Sequence, residues 1–107
     1  MQVDRVNKLQ AFLLQEPNSP FLKYALATEY VSQGNLKEAL SYFEALVSEH
    51  PDYVGTYYHL AKLYLTLGTK EKAIQTYESG INVAKAQKNQ HALAELQNAY
   101  TNILFDE

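Results

Sequence analysis

The sequence predicts an all-α protein of six helices arranged as antiparallel pairs in a stacked repeat. Three observations predict it. First, the stretch Tyr24–Glu44 returns without a gap, 34 residues later, as Tyr58–Glu78. The pairs Tyr24/Tyr58, Leu26/Leu60, Ala27/Ala61, Tyr30/Tyr64, Gly34/Gly68, Ala39/Ala73 and Glu44/Glu78 are identical in that register. A fixed period of this size marks supersecondary units that stack to bury a shared core. Second, apolar residues recur at helical spacing along the chain, with no strand-period alternation and no hairpin turn. Third, Gly34 and Gly68 stand at the same place in each copy, where a left-handed C-terminal turn needs a residue without Cβ.

The first helix is expected over about Val3–Gln15, with Val6, Leu9, Phe12 and Leu13 on one side, stopped by Pro17 and Asn18. Ser19 then reads as N-cap and Pro20 as first helical residue, where a missing N–H costs nothing. The second helix runs to about Gln33, buries Leu22, Leu26, Ala27 and Tyr30, and ends at Gly34. Asn35 with Glu38 reads as a capping box opening the third helix, whose inward residues are Leu36, Ala39, Leu40, Phe43, Leu46 and Val47. Pro51 follows its end at His50.

The fourth helix covers about Val54–Leu67, and Thr69 caps the fifth. Lys85 stands where the period would place a proline, so the fifth helix continues to about Gln87. Asn89 breaks it, and a sixth helix, about Gln90–Leu104, carries Leu93, Leu96, Ala99, Tyr100, Ile103 and Leu104 inward. The period also extends backwards, Pro51 to Pro17 and Leu46 to Phe12. The first helix is thus the second half of an earlier unit, covering one open end as the sixth covers the other. The starting Met and these two caps lead us to expect a near-complete chain.

Composition narrows the function classes. A chain of 107 residues that is 47% apolar suits one domain with a modest core. Net charge is −3 with acids and bases interleaved, and no Lys/Arg cluster offers a nucleic-acid footprint. Nine tyrosines suggest a base-stacking platform, but Tyr30, Tyr64 and Tyr77 belong to the repeat core. Without cysteine there is no disulfide framework and no thiolate zinc site, which fits a reducing compartment. No signal peptide is recognisable, and no run approaches the ~20 apolar residues of a membrane span. A cytoplasmic location is expected.

Each unit resembles a tetratricopeptide repeat (TPR), a pair of antiparallel helices. The resemblance rests on Leu26, Ala27, Tyr30, Gly34, Ala39, Phe43 and Pro51 in the first unit. In the second it rests on Leu60, Ala61, Tyr64, Gly68, Ala73 and Tyr77. Close helix crossings at ~8–10 Å demand the small residues of this pattern. The chain departs from it at Lys23, where an aromatic is usual, and at Leu46 and Gly80, where Ala is usual. Gly80 inside a helix is expected to cost about 1 kcal/mol relative to Ala. The resemblance implies a right-handed α-α superhelix. It implies a single domain divided as 1–19 (N-terminal helix), 20–53 and 54–87 (repeats) and 88–107 (capping helix). It also implies a concave groove lined by the first helix of each pair. The groove residues would be Phe21, Tyr24, Thr28, Val31 and Ser32, then Gly55, Tyr58, Lys62, Leu65 and Thr66. Spacing agrees: Tyr24, Thr28 and Val31 share one helix face, and Tyr58, Lys62 and Leu65 repeat it. Tyrosines there suit a peptide, having apolar area with a polar handle, or they simply pack on adjacent helices.

No catalytic, metal or cofactor site is expected. His50, His59 and His91 are scattered without metal-ligand spacing. There is no nucleophile elbow and no phosphate-cradling glycine loop. His59 is expected to be structural, partly buried beside Tyr58. Lysine and asparagine positions that hold a C-terminal carboxylate in some family members are largely absent, leaving Lys62 as the residue able to pair with an acidic group. The expected function is a non-catalytic scaffold that binds a peptide or helix of a partner protein in the groove. The alternative is self-assembly, a homodimer through the terminal helix if Phe105 points outward.

Overall fold

A computed structural model describes residues 2–106, with side chains from Arg5 onward; the outermost ends of the expected segments, 1 and 107, lie outside that range. It contains α1 (Gln2–Gln15), α2 (Pro20–Ser32), α3 (Leu36–Glu49), α4 (Gly55–Thr66), α5 (Lys70–Gln87) and α6 (Gln90–Phe105). No strand occurs among the described residues. The chain divides into two compact units, Met1–Tyr53 and Val54–Glu107.

In the first unit α2 packs on both α3 and α1. Leu26, Ala27, Ala39, Phe43 and Leu46 are fully buried, and the alanines let α2 and α3 approach closely. Ser19 Oγ accepts from the Leu22 N–H at 3.2 Å, the expected cap. Lys23, in place of an aromatic, reaches across to pair with Glu49 of α3. In α1 only part of the expected stripe is inside. Val6 is buried, but Phe12 is 55% exposed, because α1 packs on α2 through the side that carries Val6.

The second unit repeats the arrangement with α4 on α5 and adds α6 against α5. Ala61 and Ala73 are again fully buried, with Tyr57, Leu60 and Tyr77 beside them. The turns at Gly34 and Gly68 have φ of +80° and +83°, the left-handed conformation expected there. The α5–α6 turn uses Lys88 at φ 57° instead.

Four further local expectations need correction. Asn35 makes no side-chain cap bond, nor does Thr69, whose hydroxyl turns back to donate to the Tyr64 carbonyl at 2.9 Å. Leu104 is exposed, because Leu96 and Ile103 hold the inner face of α6. Gly80 is required rather than merely tolerated. A Cβ built on it would stand 2.5 Å from Tyr57 Cβ and 3.3 Å from Leu96 Cδ1, so α4 and α6 touch α5 where only hydrogen fits.

Candidate functional site

The α4 face is where the expected site residues come together. Tyr58, Lys62 and Leu65, one turn apart along α4, line a cavity of about 470 Å³ in the second unit. Lys70 and Tyr77 of α5 form another wall, and Ala99, Asn102, Ile103 and Asp106 at the end of α6 complete it. Lys62 and Leu65 are solvent-exposed while Tyr58 is half-buried, so the cavity is reachable from outside.

Its chemistry is mixed. The Lys62 ammonium lies 5.5 Å from the centre of the Tyr58 ring, a cation–π contact that holds the charge over the aromatic face. Lys70 Nζ donates to the Asp106 carbonyl at 3.2 Å, satisfying an acceptor just past the end of α6. Burial, and secondarily the nearby Tyr58 hydroxyl, push the Tyr77 phenol up from its ordinary range, so it remains a neutral hydrogen-bonding group at neutral pH. Leu65 and Ile103 supply apolar wall. Two ammonium groups, one carboxylate, phenols, one amide and aliphatic carbon make a site of mixed polarity, with Lys62 placed to meet an acidic group beside an apolar side chain.

His59 is half-buried against Tyr58, ring centroids 5.6 Å apart at 88°. Burial holds its pKa below the ordinary 6.5; Lys62 adds to this lowering, while Glu95 opposes it. That is a packed histidine, as expected. Among the described residues, no three His, Asp or Glu side chains come together as a metal site.

The remaining expected residues are dispersed. Gly55 and Thr66 lie on α4 outside the cavity lining, and the Thr66 hydroxyl donates to the Lys62 carbonyl at 3.1 Å. On α2, Phe21 is 62% and Val31 41% exposed, and Ser32 is exposed. Thr28 donates to the Ala25 carbonyl at 3.0 Å. Tyr24 is half-buried, its ring 6.5 Å from Phe43 and 5.6 Å from Tyr53. Tyr24 thus packs within its own unit, whereas Tyr58 borders open space. Sequence reasoning missed Lys70, Asn102 and Asp106. Asn102 and Asp106 share a face at i, i+4, but nothing in the period indicates which way that face turns.

A family model described as tetratricopeptide repeat matches residues 30–96. Among solved structures, a tetratricopeptide repeat domain protein from Salinibacter ruber is 48% identical, covers 83% of this chain and 99% of its own, and superposes with a TM-score of 0.80. A protein from Bordetella parapertussis is 25% identical over 92% of this chain and 86% of its own, with a TM-score of 0.79. PcrH, solved in complex with the chaperone binding region of PopD, shares the fold at 18% identity; the match covers 96% of this chain and 78% of PcrH, with a TM-score of 0.86. No protein with a curated description matches the sequence. No helix among the described residues is long and apolar enough to cross a membrane.

Proposed function

This chain belongs to the tetratricopeptide repeat family, and we propose that it is a non-catalytic interaction module whose α4 face holds a peptide or helix of a partner protein. The observation that carries the proposal is the cavity. Tyr58, Lys62 and Leu65, singled out by their repeat spacing, border one concave space of peptide-side-chain size. The partner segment presents an apolar side chain to Leu65 and Ile103 and an acidic group to Lys62. The exposed α2 residues Phe21, Val31 and Ser32 offer a further contact face in the first unit. Tyr24 contributes its outer edge, since its ring already rests on Phe43 and Tyr53.

The test is capture of a partner by the protein and by a Tyr58→Ala/Lys62→Ala variant, with helicity checked by circular dichroism. Lys62 is exposed and Tyr58 half-buried, so the helicity check separates loss of the site from loss of the fold. Loss of capture supports the assignment; undiminished capture removes it.

Self-assembly through the terminal helix is the second reading. Phe105 is 81% exposed and Leu104 45% exposed, so α6 does carry outward apolar side chains at its end.

A further inference from the structure

The first helix has a face that its repeat equivalents bury. Arg5, Leu9 and Phe12 correspond by the period to Ala39, Phe43 and Leu46 of α3 and to Ala73, Tyr77 and Gly80 of α5. All six equivalents are buried, because α2 packs on α3 and α4 on α5. On α1 the same face is open. Phe12 is 55% exposed, the Arg5 side chain 69%, and Leu9 half-buried. A different part of α1, with buried Val6 and with Gln10 donating to the Tyr30 hydroxyl at 2.9 Å, meets α2.

Charge order on the open face identifies what covers it. Arg5, Leu9, Phe12 and Glu16 follow one another at spacings of four, three and four, the seam of a paired helix. Glu16 is exposed and keeps the register, its N–H donating to the Phe12 carbonyl at 3.0 Å. Cation, apolar, apolar, anion is its own complement when reversed. Laid antiparallel on a second copy, Arg5 faces Glu16 and Leu9 faces Phe12, each twice by symmetry. We propose that the chain self-associates through α1, as a two-fold antiparallel pair of first helices. Arg5 donates through Nε to Glu29 Oε1 at 2.9 Å, which leaves its other guanidinium N–H groups for Glu16 of the second copy. A parallel pair would set Arg5 against Arg5. An α6 mate matches less well: it exposes Leu104 and Phe105 at its end, but it carries no lysine or arginine to face Glu16.

One helix pair is a small interface, so the dimer is a weak one, seen as mass rises with concentration. The test is sedimentation equilibrium from micromolar to millimolar protein. Mass should approach twice the monomer for the wild type and stay monomeric for Phe12→Asp. Arg5→Glu places Glu against Glu, and Glu16→Arg places Arg against Arg, so each alone should weaken the dimer by about 10-fold or more. An equimolar mixture of the two should associate again, because every facing pair is then opposite in sign. Phe105→Ser should leave association unchanged. A wild type that remains monomeric throughout would overturn the proposal. So would a mixture no better than its components, or loss of the dimer through Phe105→Ser. The α1 seam and the α4 cavity share no residue, so this result and the partner-capture result are read on different variants.

Discussion

Gly80 concentrates the packing of the second unit at one missing carbon. Its absent Cβ would overlap Tyr57 Cβ, which sits on a helix backbone and has little room to retreat. Gly80→Ala should therefore lower stability by about 1–3 kcal/mol, although a helix interior ordinarily favours Ala. Denaturant unfolding measures it, and a stabilised variant would contradict the close α4–α5 contact. Thr56 behaves oppositely. It is fully buried and its hydroxyl has no hydrogen-bond partner among the described residues. Thr56→Val keeps the shape and removes an unsatisfied group, so the midpoint should rise, by about 1 kcal/mol at most. His59 supplies a pH dependence. Its folded pKa lies below the ordinary 6.5, so the unfolded chain takes up the proton first as pH falls. The His59 contribution is complete above 6.5 and declines below it, down to the folded pKa. Unfolding curves across pH 7 to 5 should show this decline, and His59→Gln should reduce it. The sequence marked Gly80 as a departure from the repeat pattern but not its reason. Propensity counts only the cost of glycine in a helix, while the benefit lies in a contact across helices.

Helix limits were largely legible, because each is set by local chemistry: Ser19–Pro20, Gly34, Pro51 and Gly68. Cap strength was less so. Ser19 makes its bond to the Leu22 N–H, whereas Asn35 makes none, though both are residues that favour caps. Ser19→Ala should thus cost about 1 kcal/mol and Asn35→Ala distinctly less, a difference that thermal unfolding of the two variants would resolve. Equal losses would contradict the cap geometry. Faces of the terminal helices were also misread in part. Phe12 and Leu104 fit a helical stripe, but periodicity shows which residues share a side without showing whether anything lies against it. In α2 through α5 the paired helix of the repeat supplies that cover; α1 lacks the preceding helix of its own pair, and α6 lies beyond the period.

At the scale of the molecule, the family and its helix pairs could be read from the repeat, because small residues at crossings and glycines at turns recur where geometry demands them. The candidate site was half legible. Tyr58, Lys62 and Leu65 follow from the period, whereas Lys70 enters from the start of α5, and Asn102 and Asp106 from the end of α6, beyond the turn at Lys88 where the repeat pattern stops. In a chain of net charge −3, a cavity lined by two lysines against one aspartate keeps a local excess of positive charge, which favours an acidic group on the partner segment. The central claim is that the α4 face captures a protein partner, and the direct measurement is quantitative affinity capture from source lysate by the wild type and by the Tyr58→Ala/Lys62→Ala variant, matched for helicity. The account predicts a partner retained by the wild type and reduced by about 10-fold or more with the variant, the loss typical of removing central interface side chains. Equal recovery by both proteins would contradict it.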